Sequence, residues 1–364
     1  MTQRPVSVRR RVLLSFLLPL FVGEAAARVW VHARYPRERI EQLTTHAAVR
    51  GRFSSHPYLP YVLNAGFEGH NPLGFRGAPF EAKKPAGALR IACVGASTTY
   101  GSLLDASDSW PAELEKLLRG TNPRVEVINA GVPGWTSTEL WINLELRILP
   151  LDPDVVVIFP GRNEIFPQTY NHFAADYTHF RKAGFNFAVS NYVHKELFRW
   201  SNLYLLLCTA ANGSRFGWSE TEEHPLYGGI EWENRPTVDE AIRNLDDPAR
   251  MSTFRGCLEG MVGLCKDRGK PVLLCTMQVR TDLFHLDELE RDPRLHERLG
   301  RLIEKDNALI REVAARRGVP VAETAQVSSR RDLFLDDDSH LSLEGHQTQA
   351  RIVRDALLPI LPKE

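Results

Sequence analysis

The sequence predicts an α/β fold, a three-layer α/β/α sandwich around a parallel sheet of about five strands. Two observations predict it. Short β-branched and apolar runs recur at Leu89–Gly95, Val125–Asn129, Asp154–Pro160, Pro271–Met277 and Val319–Ala322. Stretches with helical spacing lie between or after them, at Ser109–Leu118, Thr136–Leu149, Thr253–Arg268, Leu295–Arg317 and Ser342–Leu361. Such alternation implies right-handed crossovers and a sheet covered by helices on both faces.

Composition narrows the partners. Hydrophobic residues make up 43% and charged residues 25% of the 364, the balance of an ordinary folded protein. Lys+Arg and Asp+Glu are both 45, so no global charge points to nucleic acid. Cys93 and Cys275 fall in predicted strands, and Cys257 and Cys265 in a predicted helix. Their spacing is not that of zinc ligands, and they read as buried apolar residues. No cofactor or metal is expected.

The N-terminus carries Arg4, Arg9, Arg10 and Arg11, then an apolar run Val12–Gly23 and small residues at Ala25–Ala27. A basic, apolar and small-residue order is that of a secretory signal. Read through to Val31, the segment has about the length needed to span a bilayer. The expectation is therefore an uncleaved signal anchor, a transmembrane segment within residues 1–34, in preference to a cleaved signal. Glu24 and Arg28 then fall four apart and can pair. The basic flank would hold the N-terminus in the cytoplasm and place the main domain outside it, periplasmic or extracellular. Cleavage would make the protein secreted.

Residues 35–86 read as an irregular lead-in containing Asn71-Pro-Leu-Gly-Phe-Arg-Gly77. The α/β domain then runs over 87–364, with a helical insertion at about 165–250, far longer than an ordinary connection. Within it, Asn191–Cys208 has an apolar stripe at helical spacing, and Asn212-Gly-Ser214 matches a glycosylation sequon. Phe166, Tyr170, Phe173, Tyr177, Phe180, Phe185 and Phe187 would line a lid over a cleft or build a small core.

Four places at strand ends carry the chemistry. They are Gly95-Ala-Ser97, Asn129-Ala-Gly131-Val-Pro-Gly134, Gly161-Arg-Asn163-Glu164 and Asp336-Asp337-Asp338-Ser339-His340. A parallel sheet brings all four to one edge. A serine hydroxyl is a poor nucleophile until a base takes its proton, and His340 can do so. Asp337, three residues earlier, can orient the imidazole and stabilise its charged form. The oxyanion needs preorganised donors: the Gly131 and Ser97 backbone N–H groups and the Asn163 amide supply them. The acidic run is not read as a metal site, because adjacent carboxylates point in different directions. No lysine follows Gly101, which excludes a phosphate-binding loop, and Thr99 stands where a Gly-x-Ser-x-Gly elbow needs glycine.

These blocks resemble the SGNH superfamily of GDSL-type esterases and lipases. Gly95-Ala-Ser97 with Gly101 matches its first block, Gly131 its second, Gly161-x-Asn163 its third and Asp337-x-x-His340 its fourth. Ala96 and Glu164 stand where aspartate is usual. The lead-in resembles that of membrane-anchored bacterial members. The resemblance implies a flavodoxin-like SGNH fold and a serine-dependent ester hydrolase with an acyl-Ser97 intermediate. Its substrate would be a small-molecule or polysaccharide acyl ester, met outside the cytoplasm, with the N-terminal segment in the membrane. An O-acyltransferase would share that intermediate and differ in its second nucleophile. A non-catalytic binding protein has no need for the full set of four residues.

Overall fold

The computed structural model describes residues 8–34, 52–54, 56–65, 67–181, 200–212, 232–283 and 292–362. The first half of the Asn191–Cys208 stripe, Phe185, Phe187 and the last two sequon residues lie outside them. The chain divides into two units.

The first unit contains helix α1, Val8–Arg34, and a second helix, Asn202–Asn212. The expected transmembrane signal anchor is overturned: among the described residues, no helix is long and apolar enough to cross a membrane. The 27 residues of α1 have the length but not the continuity. The apolar run Val12–Gly23 covers only about 18 Å of helix, against the ~30 Å of a bilayer core. Glu24 and Arg28 follow it, with Nε donating to Oε1 at 2.7 Å. Glu24 serves as a cap for the second helix, accepting from Ser201 Oγ at 2.7 Å and from the Asn202 and Leu203 N–H groups at 3.0 Å. Burial alone would raise its carboxyl; those hydrogen bonds and Arg28 outweigh it and hold the group at about 2. The charge that breaks the apolar run is thus part of the packing of α1.

The second unit is the α/β domain. Strands β1 (Leu89–Gly95), β2 (Val125–Gly131), β3 (Val155–Phe159), β4 (Val272–Cys275) and β5 (Val321–Ala322) form one sheet in the order β2-β1-β3-β4-β5. Every pairing is parallel. The order reverses between β1 and β3, and in open α/β sheets ligands bind at such a switch point. Gly95, which ends β1, is paired with Gly131 on one side and Phe159 on the other. The three segments that follow these residues therefore leave the sheet side by side.

Helices α2 (Ser97–Tyr100), α3 (Trp110–Arg119), α4 (Ser137–Asn143), α5 (Ile165–Thr169), α7 (Val238–Asn244), α8 (Ser252–Asp267), α9 (Pro293–Arg317) and α10 (Leu343–Leu357) complete the domain; Asn202–Asn212 is α6. The predicted helix from Thr136 to Leu149 is regular only to Asn143 and continues as a π-helical turn, Leu144–Ile148. One face of the sheet packs Ile91, Cys93, Val157 and Phe159 against Trp110 and Leu114 of α3 and Val353 of α10, all buried. In the insertion, Phe166 stacks on Phe180 at 6.2 Å and Tyr170 meets it edge-on at 5.2 Å. Phe180 and Tyr170 are buried, so these aromatics build a core.

Gly131 shows how closely α2 approaches the sheet. A Cβ there would lie 2.2 Å from the Tyr100 N and 2.6 Å from the Thr99 carbonyl carbon. Both are backbone atoms and cannot move aside. Gly131→Ala is expected to destabilise the domain by about 1–3 kcal/mol through overpacking, read as a lower denaturation midpoint in urea. An unchanged midpoint would show that α2 has room to shift.

Candidate active site

Ser97 is the first residue of α2, at the carboxyl end of β1. It is half-buried while Ala96, Thr98 and Thr99 beside it are buried, so it is the most open residue of this stretch. Its backbone N–H opens the helix and has no partner among the described residues.

Asp337 and His340 lie in one turn just before α10. His340 Nδ1 and Asp337 Oδ2 are 2.7 Å apart. Asp337 Oδ1 accepts the His340 N–H at 2.6 Å and the Ser339 N–H at 2.9 Å. Burial alone would raise this carboxyl. The hydrogen bond and charge of the His340 ring, with the two backbone donors, outweigh burial and hold it at about 2. An ionised Asp337 keeps the proton on Nδ1 and leaves Nε2 as an acceptor. That Nε2 is buried and has no hydrogen-bond partner among the described residues.

A direct link joins this turn to the serine. The Thr98 hydroxyl donates to the Ser339 carbonyl at 3.3 Å, tying the residue after Ser97 to the residue before His340. Asp338, next to Ser339 in the same turn, is fully buried and ion-paired with Arg162 Nε.

Asn163 follows β3 in a 3-10 turn, Arg162–Glu164. Its Nδ2 donates to the Trp135 carbonyl at 2.8 Å, which fixes the amide plane and leaves the second N–H of that group without a partner among the described residues. Gly131 is placed differently from what its sequence position suggests. Its N–H donates to Asn129 Oδ1 at 3.0 Å, and its missing side chain makes room for α2. Three residues on, Gly134 has φ 80° and a backbone N–H with no partner among the described residues. It adjoins Trp135, the residue that holds Asn163. The Pro133-Gly134 pair was the available signal, since Pro-Gly marks a turn with positive φ at glycine.

Other residues brace the site. Glu164 is fully buried and accepts from the Ser137 N–H and, at 2.9 Å, from the Tyr177 hydroxyl. Burial pushes its carboxyl up to about 7, against those hydrogen bonds and with the help of the Glu139 charge. In the lead-in, Asn71 Oδ1 accepts from the Leu73 and Phe75 N–H groups and organises a turn. The Arg76 N–H donates to the Asn129 carbonyl at 3.2 Å, and its guanidinium lies 4.4 Å from the Tyr100 ring centre. His346 accepts the Trp110 N–H through Nδ1 at 3.0 Å and caps α3.

Residues 93–348 match the sequence model of the GDSL-like Lipase/Acylhydrolase family. Among solved structures, a lipase/acylhydrolase from Enterococcus faecalis is 18% identical, with 76% of this chain and 98% of that one covered and a TM-score of 0.44. An acetyl xylan esterase from Geobacillus stearothermophilus, solved as a variant, is 15% identical, with 77% and 96% covered and a TM-score of 0.42. No curated protein sequence matches the chain.

The raised Glu164 carboxyl has a consequence for stability. Its folded value of about 7 lies above the ordinary 4.5, so the folded state holds this proton more tightly than the unfolded chain. Its contribution is full below pH 4.5 and is lost as pH rises through about 7. Thermal melts of the wild type should fall across that window, and Glu164→Gln should flatten the fall. Parallel curves for the two proteins would refute the burial account.

Proposed function

The chain belongs to the GDSL-like lipase and acylhydrolase family, and from that membership we propose a serine ester hydrolase that works through an acyl-Ser97 intermediate. The observation that carries this reading is the state of His340. One ring nitrogen is held by an ionised carboxylate, and the other is buried and unpartnered among the described residues, in a turn tethered beside Ser97.

Ser97 Oγ attacks the ester carbonyl carbon while its proton passes to His340 Nε2. Asp337 stabilises the imidazolium that results. The carbonyl oxygen becomes an oxyanion, received by the Ser97 N–H, the Asn163 amide and a third donor. We assign that third donor to Gly134, because the Gly131 N–H is engaged by Asn129. Collapse breaks the bond to the alkoxide, which takes the proton from His340. Water then attacks the acyl-enzyme, giving its proton to Nε2, and the acid leaves as Ser97 regains its hydrogen. The basic, apolar and small-residue order of the N-terminus supports an acylated substrate met outside the cytoplasm.

A fluorophosphonate probe, which reacts with activated serines, should label the wild type and not Ser97→Ala. Equal labelling of the two would end the assignment of Ser97. With p-nitrophenyl acetate and acetylated xylan as substrates, Ser97→Ala and His340→Ala should lose similar amounts of activity, as members of one unit. Asn163→Ala should lower kcat by about a hundred- to a thousand-fold. Near-normal turnover would remove Asn163 from the oxyanion hole.

A further inference from the structure

Arg162 stands between Gly161 and Asn163, at the end of the central strand β3, yet its side chain is only 5% exposed. Its partner, Asp338, is 0% exposed and lies between Asp337 and the Ser339–His340 pair. The guanidinium also sits 5.0 Å from the Phe166 ring centre. On the other side, the Asp338 carbonyl accepts the Arg280 N–H at 2.8 Å. Asp338 is thus clamped through its side chain from β3 and through its backbone from the segment after β4.

The two ends of this pair belong to different parts of the proposed machinery. Arg162 is bonded in sequence to the oxyanion donor Asn163, and Asp338 sits within the turn that carries the base. An arginine holds a carboxylate in a planar, directional geometry, which suits it to fixing one segment against another. Resting on the reading of Ser97 and His340 above, we propose that the Arg162–Asp338 ion pair sets the spacing between the oxyanion hole and the general base. Arg162 and Asp338 are positioning residues: neither touches the substrate, and they act through Asn163 and His340.

Replacing either residue leaves the fold's larger contacts in place and loosens this spacing. A displacement on the order of 1 Å at reacting groups can cost about a hundredfold in rate. Asp338→Asn keeps an acceptor for Arg162 but removes the negative charge. A neutral amide holds the guanidinium less firmly than a carboxylate does, which loosens the turn that carries His340.

The test uses the full chain, with p-nitrophenyl acetate hydrolysis and the second-order rate of fluorophosphonate labelling as readouts. Asp338→Asn and Arg162→Lys should each lower kcat roughly ten- to a hundredfold, with KM changed less than about threefold. The double variant should lose no more than the worse single one, because the pair acts as a unit. Thermal melts check folding, and Arg162→Lys, which keeps the buried charge, carries the test if Asp338→Asn unfolds. Folded variants with wild-type kcat would overturn the positioning role alone. A wild type that the probe does not label would overturn the site reading and this inference with it.

Discussion

The hydrogen bond between Asp337 and His340 is the interaction on which the site depends. A buried carboxylate normally drifts toward its neutral form, and a neutral Asp337 could not hold the Nδ1 proton or stabilise an imidazolium. Three donors prevent that drift: the ring itself and the N–H groups of His340 and Ser339. All three come from the same short turn. The turn therefore makes its own electrostatics, and the sheet has only to deliver it to the right edge.

Delivery is a matter of register. Gly95, Gly131 and Phe159 stand side by side across three strands, so the chain leaves the sheet at one level in three adjacent places. Ser97 and Asn163 follow β1 and β3, the two strands on either side of the switch point, where open α/β sheets bind ligands. The glycine at 131 is what lets α2 lie against the end of β2 without collision. With α2 seated, Thr98 reaches the Ser339 carbonyl, and the segments that carry Ser97 and His340 share one anchor.

Most of this frame was legible in the sequence, because it rests on local signals. The strand ends came within a few residues of their expected places, since apolar β-branched runs bounded by glycine leave few alternatives. The placement of Ser97, Asn163 and Asp337–His340 at strand and helix ends was legible for the same reason, each being among the first polar groups after a strand or before a helix. Three features were not. Which glycine offers a free N–H depends on the Asn129 side chain, whose partner cannot be read from spacing. The N-terminal apolar run looked like an anchor because nothing in it announces that Glu24 caps a helix far along the chain; Leu203 follows it by 179 residues. The Arg162–Asp338 pair spans 176 residues, and a charged residue in a strand-end turn reads by default as solvent-facing.

The acidic run makes the same point at the scale of one turn. Asp336, Asp337 and Asp338 are identical in sequence terms, and their surroundings give them three different characters. Asp336 is fully exposed and pairs with Arg331 at 2.8 Å on the surface, where screening leaves such a pair little effect. Asp337 is partly shielded and surrounded by donors, so it remains ionised. Asp338 is completely buried, and burial raises its carboxyl even though Arg162 opposes the shift. Only the middle residue combines shelter from solvent with enough hydrogen bonds to keep its charge, and that combination is what an imidazole partner requires. A carboxylate one residue earlier would be too well hydrated to orient a ring, and one residue later it is already committed to an arginine.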